Sequence, residues 1–167
     1  MLTRGRVCRL IALLLAAVAL GCGTLASAQS VRTEFFSVTL PIGWTVKSDP
    51  TGAIATPLSD AELPRIAIDS CDRNTKANCP QSCETDSLRS NYFYFLANDP
   101  TAIYSEKFRE DGFRDLRASG SVGSPATWVA ASVLCGSKGI VYIGAMSLGS
   151  RSDAGDLVEA TVQSLRW

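Results

Sequence analysis

The side chains of this sequence that could do chemistry are carboxylates, lysines, serines and cysteines, because none of its 167 residues is histidine. Without histidine there is no Ser-His-Asp or Cys-His nucleophile system, no histidine-ligated zinc and no imidazole base near neutral pH. The sequence also lacks a glycine loop with phosphate-binding spacing. We therefore expect no enzyme activity, no catalytic residue and no bound cofactor.

Carboxylate acid–base chemistry would have to arise in residues 105–117, where acidic side chains are dense. A general acid at this place would need one carboxylate held in an apolar pocket. Basic side chains alternate with the acidic ones, however, and this alternation is typical of a solvated face. We therefore predict a solvated face here, and a charged, solvent-facing strand over residues 112–122. The acidic residues are Glu106, Glu110, Asp111 and Asp115, and the basic ones are Lys107, Arg109, Arg114 and Arg117.

A calcium-like spacing of oxygen ligands occurs in residues 69–74, where Asp69, Asp72 and Asn74 follow one another closely. A calcium-binding loop also needs a central glycine and a terminal glutamate, and this segment has neither. We therefore predict no metal site here.

Four cysteines, Cys71, Cys79, Cys83 and Cys135, remain after the N-terminal segment. Their spacing lacks the paired C-x-x-C knuckles of a zinc site and the C-x-x-C pair of a redox enzyme, so two structural disulfides are predicted. Three connectivities are open to four cysteines, and the sequence does not choose among them. The polar loop 71–83 favours one bridge within the loop and one from the loop to Cys135.

The N-terminal segment has the layout of a secretory signal. Three arginines precede an apolar run, Leu10–Leu20, which is too short to span a bilayer, and small residues then lead to Ala28. We predict a signal peptide over residues 1–28, cleaved after Ala28, and one secreted α+β domain over residues 29–167. Lipid anchoring at Cys22 is an alternative, since this cysteine follows a glycine.

The charge of residues 29–167 argues against nucleic acid as a partner. Three of the sixteen basic residues lie in the signal segment and none of the sixteen acidic ones does, so the remaining chain has a net charge of −3. A mildly acidic chain without basic clusters does not attract a phosphate backbone. With the cysteines, this composition predicts a periplasmic or secreted protein without a transmembrane span in its mature form.

The positioning elements are mostly strands. Apolar residues alternate over residues 36–40, a turn follows at Pro41 and Gly43, and alternation resumes at Trp44. Residues 124–136 and 139–148 are apolar on both parities, which predicts two central strands with both faces covered. A helix is predicted over residues 152–165. The pattern as a whole predicts a single antiparallel sheet with helices packed against it.

A second helix is predicted from near Thr85 to about Asn98, and it contains a run of four aromatic residues, Tyr92, Phe93, Tyr94 and Phe95. A strand is the alternative for this run, because aromatic residues favour strands. A helix cannot bury four successive aromatic side chains against one sheet, so one or two must point outward. This run is the candidate interaction surface.

The strand that enters Leu-Pro-Ile-Gly-Trp at residues 40–44 and the closing helix that ends in Val-Gln-Ser-Leu-Arg-Trp at residues 162–167 complete this order of elements. It resembles the PsbP/Mog1/DcrB-like superfamily, in which a strand often runs into such a motif. The resemblance implies an α/β/α arrangement. It also implies a scaffold for contacts, since members are mostly described as binding or accessory proteins without an active site.

The function expected from these observations is a non-enzymatic protein of the bacterial cell envelope that binds another envelope or secreted protein, as an accessory or immunity-type factor. The alternative is an envelope protein that binds a small apolar molecule or a metal ligand. Two facing carboxylates in a deep cleft would instead favour an enzyme.

Overall fold

The computed structural model describes residues 28–33, 36–48, 52–58, 63–74, 79–123 and 127–167, which contain nine strands and two α-helices. The predicted signal segment and Cys22 lie outside the described residues, apart from Ala28. The strands are β1 (Ser30–Arg32), β2 (Ser37–Thr39), β3 (Trp44–Ser48), β4 (Gly52–Pro57), β5 (Arg65–Asp72), β6 (Ile103–Phe108), β7 (Arg114–Val122), β8 (Thr127–Cys135) and β9 (Gly139–Ser147). The helices are α1 (Thr85–Tyr92) and α2 (Arg151–Ser164), and a 3₁₀ turn spans Tyr94–Leu96.

Seven of these strands form the main sheet, in the order β3-β4-β5-β9-β8-β7-β6, and every neighbouring pair is antiparallel. The helices pack against its two faces, which confirms the predicted α+β arrangement. Strands β1 and β2 form a separate two-stranded ribbon. The sequence pattern did not distinguish this ribbon from the main sheet, because both have period two.

Helix α2 and the ribbon cover one face of the main sheet, which we call the α2 face. The helix begins with a capping box in which the Ser150 hydroxyl accepts a hydrogen bond from the Asp153 N–H and the Asp153 carboxylate accepts one from the Ser150 N–H. Its buried residues Ala154, Val158 and Val162 recur every four positions, so they form one stripe against the sheet. Each buried valine contributes about 1.5–3 kcal/mol.

Helix α1 and the 3₁₀ turn lie on the opposite face, which we call the α1 face. Helix α1 ends at Tyr92, earlier than predicted, and the aromatic run continues as the 3₁₀ turn. Side chains three positions apart nearly eclipse in a 3₁₀ turn, so Phe93 and Leu96 can both enter the core, where each is 1% exposed. Tyr94, which lies between them, points outward and is 71% exposed.

Strands β8 and β9 lie centrally with both faces covered, as predicted. Successive side chains of a strand point to opposite faces. Ala130 and Leu134 of β8 therefore pack in the core of the α2 face, while Ala131 and Val133 pack in the core of the α1 face. All four are buried, which explains why β8 is apolar at both parities.

The prediction that residues 112–122 form a solvent-facing strand was wrong. This segment forms β7, which lies second from the edge, because β6 pairs outside it. Leu116 and Asp115, on opposite faces of β7, are both fully buried. Charge alternation did not reveal this burial because it does not show that β6 and β8 pair on the two sides of β7 and that α2 covers the face on which Asp115 lies.

The four described cysteines form the pairs Cys71–Cys79 and Cys83–Cys135, with Cα–Cα distances of 5.5 Å and 5.7 Å. This is the connectivity that the polar loop favoured. Arg73 holds the region together: its Nη2 approaches the sulfur atoms of Cys83 at 3.3 Å and Cys135 at 3.2 Å, and its Nη1 donates to a backbone carbonyl. Two disulfides are compatible with an oxidising compartment.

Candidate functional site: an aromatic groove on the open half of the sheet

The α1 face of the main sheet is covered by α1 and the 3₁₀ turn on one side and open over β3, β4 and β5. Ile54 of β4 lies opposite Ala67 of β5 on this face and is 47% exposed. On the other face, the neighbouring pair Ala55 and Ile66 is fully buried. Among the described residues of these strands, the α1 face is therefore the more exposed of the two.

A groove lies where the 3₁₀ turn meets this open half. One cavity, of about 320 Å³, is bounded by the 3₁₀ turn, by β5 and β9, and by the ends of β7 and β8. A second cavity, of about 290 Å³, lies towards α1 and shares part of its lining with the first. We call the first cavity the Arg65 pocket and the two together the aromatic groove. The shared lining residues are Ala67, Tyr94, Phe95 and Tyr142.

The groove contains most of the aromatic run that the sequence singled out, but not all of it. Tyr92 stacks on Tyr142 with ring centroids 6.0 Å apart, and Tyr94 meets Phe95 edge-on at 5.9 Å. Phe93 belongs to the core instead. The structure therefore brings three of the four predicted residues together around one depression. Whether that depression is an interaction surface remains a prediction.

Sequence analysis missed the groove residues that come from the sheet. Arg65 begins β5, and Tyr142, Gly144 and Met146 follow one another at alternate positions on β9. These residues are far from the aromatic run in the sequence, and nothing local marks them as neighbours. The signal that could have found them is the antiparallel pairing of β5 with β9, in which Arg65 lies opposite Met146.

Tyr142 brings a hydroxyl donor to the groove. Burial, with smaller contributions from the nearby Tyr94 and Asp69, raises the pKa of Tyr142 to about 12. The phenol therefore stays protonated at physiological pH and can donate a hydrogen bond. Its ring extends over Gly144, where a Cβ would collide with the Tyr142 hydroxyl. The lack of a side chain at this position makes room for the phenol.

The buried acidic cluster on the α2 face is a structural network. The Asp115 carboxylate accepts hydrogen bonds from the Ser132 hydroxyl at 2.7 Å and from Nε and Nη2 of Arg117 at 3.0 Å and 2.9 Å. Lys107 lies 3.6 Å from the same carboxylate, and Arg117 also contacts Glu159 of α2. Two cations thus face two anions, an arrangement that joins α2 to the sheet.

The charges within this network stabilise one another. Burial alone would lower the pKa of Arg117, but its hydrogen bonds to Asp115 and Glu159 outweigh that effect and hold the pKa above its usual value. The hydrogen bond from Arg117 likewise lowers the pKa of Glu159. A general acid needs a carboxyl group whose pKa is raised, whereas the pKa of Glu159 is lowered.

The oxygen atoms of the calcium-like segment serve the loop itself. The Asp72 carboxylate accepts a hydrogen bond from the Asn74 N–H at 2.8 Å, and the Asp69 carboxylate accepts one from the Ser70 N–H at 2.7 Å. In the described part of the chain, no group of three or more cysteine or acidic residues is placed to hold a metal ion. The described helices include none with the length and apolar character needed to cross a bilayer.

The fold that positions the groove is a PsbP-like α+β fold. The solution structure of cyanobacterial PsbP (CyanoP) from Synechocystis sp. PCC 6803 superposes with a TM-score of 0.57, covering 89% of this chain and 98% of that chain. The two sequences are 17% identical, so the likeness concerns the fold. No family model and no curated protein sequence matches this chain.

Proposed function

We propose that this chain is a non-enzymatic protein of the cell envelope, periplasmic or secreted, that binds another protein through the aromatic groove. The observation that carries the proposal is the position of Tyr94, which is 71% exposed at the rim of the groove beside an open sheet face. A tyrosine ring offers a large apolar contact area at low entropic cost, and protein interfaces are enriched in tyrosine for this reason.

The open sheet half extends the contact surface beyond the groove. Ile54 adds apolar area on β4, and Lys47 and Asp69 place one positive and one negative side chain at its borders. An apolar centre with a polar rim is the usual composition of a protein interface. The two disulfides and the packed aromatic side chains of the groove restrict the motion of this surface, which lowers the entropic cost of binding.

Capture from a periplasmic extract with the disulfide-bonded protein tests this proposal. Tyr94→Ala is the test variant, and Phe108→Ala is the matched control, because Phe108 is 72% exposed but lies at the far end of the edge strand β6. We expect a partner that is retained by the wild type and by Phe108→Ala and lost with Tyr94→Ala.

The same experiment can contradict the proposal. If all three proteins capture the same set of partners in equal amounts, the groove is not the binding surface. Equal melting temperatures of the two variants would show that any loss reflects the missing side chain and not unfolding. Mass spectrometry of the protein recovered from the periplasm should show Gln29 as its N-terminal residue.

The Arg65 pocket favours a second candidate function, that of a small-ligand binding protein. Its volume of about 320 Å³ lies at the lower end of the roughly 300–1,000 Å³ range of small-molecule sites. A protein interface does not require such a concave, mostly apolar site.

A further inference from the structure

Arg65 brings an unpaired cationic donor to its pocket. Its Nε is buried and has no hydrogen-bond partner among the described residues. The ion pairs of the described arginines lie elsewhere, at Arg109, Arg114 and Arg117, so no described carboxylate neutralises Arg65. Buried polar groups nearly always have a partner, so an unpaired one calls for a physical explanation, and a bound anion that reorients the guanidinium would supply one. Guanidinium groups bind carboxylates through two parallel N–H···O bonds.

The Tyr142 hydroxyl lies close enough to act with Arg65. It reaches over Gly144, which pairs with Ala67, two residues from Arg65 along β5. Two residues of a strand span about 7 Å, so the guanidinium and the phenol can face opposite sides of one small polar group. The Tyr142 hydroxyl has no hydrogen-bond partner among the described side chains, and it remains protonated because burial raises the pKa of Tyr142 to about 12.

The remaining wall of the pocket is apolar. Phe95 of the 3₁₀ turn, Val122 of β7, Val129 of β8 and Met146 of β9 surround the space beside the two donors. A ligand that packs against this wall must have an apolar body. To pair with Arg65, the same ligand must also have an anionic head. The cavity size limits it to a small molecule.

We infer that the Arg65 pocket binds a small amphipathic monocarboxylate, with its carboxylate at Arg65 and the Tyr142 hydroxyl and its apolar body between Phe95 and Met146. The ring of Tyr94 lines both cavities, so a ligand and a protein partner would share one groove, but the anionic head is recognised by Arg65 and Tyr142 and needs no partner. Loss of a protein partner would therefore leave this inference standing.

Calorimetry with decanoate and decanol tests the inference on the disulfide-bonded mature protein. The two probes share one apolar chain and differ in the charge of the head. Arg65→Gln is the test variant, and Arg32→Gln, on the β1–β2 ribbon of the other face, is the control. If the carboxylate forms a charge-assisted hydrogen bond with Arg65, Arg65→Gln should weaken decanoate binding by about tenfold to a hundredfold. The wild type should bind decanol more weakly than decanoate by a similar factor. Arg32→Gln should bind decanoate as the wild type does.

Tyr142→Phe keeps the ring and removes only the hydroxyl, so it tests the second donor without opening a cavity. We expect weaker decanoate binding by several-fold and unchanged decanol binding. In wild-type protein, decanoate should shift the NMR amide signals of Gly144 and Met146. The inference is overturned if folded wild-type protein binds no decanoate at millimolar concentration, if decanoate and decanol bind equally, or if Arg65→Gln binds decanoate as well as the wild type does.

Discussion

Replacing Asp115 by asparagine should strongly destabilise the protein, although the two side chains have nearly the same shape. The carboxylate of Asp115 is fully buried and is held by the Ser132 hydroxyl, by two nitrogen atoms of Arg117 and by the Lys107 ammonium. Asparagine removes the negative charge and turns an amide N–H₂ towards cations. Arg117 then keeps Glu159 as its only anionic partner among the described residues.

The magnitude follows from the burial of this network. Removing one partner of a fully buried ion pair costs about 3–5 kcal/mol. The side chains of Arg117 and Lys107 are 24% and 54% exposed, so water partly solvates the cations that remain, and we expect the cost of about 1.5–3 kcal/mol that is usual for a hydrogen bond to a charged group. At roughly 2–4 °C per kcal/mol for a protein of this size, the melting temperature should fall by about 3–12 °C. The matched control is Asp111→Asn, whose carboxylate pairs with Arg109 at 3.0 Å on the surface. Such a pair contributes about 0–1 kcal/mol.

Urea denaturation of the wild type and both variants gives the free energies of unfolding. The midpoint for Asp115→Asn should be clearly lower while the slope with urea is unchanged, since the folded state stays compact. A double variant with Arg117→Met should lose less than the sum of the two single changes, because both single changes remove the same contact between Asp115 and Arg117. The reasoning is refuted if Asp115→Asn costs no more than Asp111→Asn.

Two further predictions concern the disulfides and pH. The Cys83–Cys135 bridge closes a loop of 52 residues and the Cys71–Cys79 bridge closes one of 8. Chain entropy therefore predicts that replacing each bridge by a serine pair lowers the free energy of unfolding by about 4 and about 2.5 kcal/mol, respectively. A larger loss for the shorter loop in urea denaturation would contradict this account. Hydrogen bonds from two backbone N–H groups and a threonine hydroxyl lower the pKa of Asp99. The ionised carboxylate therefore stabilises the folded state above about pH 4, and this contribution is lost as the pH falls through the folded-state pKa. The melting temperature of Asp99→Asn should therefore fall less than that of the wild type between neutral and acidic pH, whereas parallel melting curves would exclude this role for Asp99.

Local patterns predicted the elements that depend on local burial. Strands β8 and β9 are apolar at both parities because both of their faces are covered, and the sequence shows this directly. The apolar pattern of α2 predicted its packing in the same way, although the helix begins at Arg151, one residue before the predicted start. The aromatic run showed that some side chain must be exposed, and Tyr94 is that side chain.

Pairings between distant segments were not predictable from such patterns. The place of β7 beside an edge strand, the partners of Asp115 and the meeting of Arg65 with Tyr142 depend on which strands are neighbours. The residues next to a side chain in the sequence do not show which strands will be its neighbours in the sheet.

By itself, the sequence determined the chemical inventory: no histidine, four cysteines suited to disulfides, and strands and helices whose apolar faces must be buried. Tertiary structure alone decided where polar groups lack partners. Burial and hydrogen bonding are properties of three-dimensional neighbours, so Asp115 became a neutralised part of the core while Arg65 and Tyr142 were left facing a cavity. The candidate site exists because two strands far apart in the chain pair antiparallel and leave half of one sheet face open.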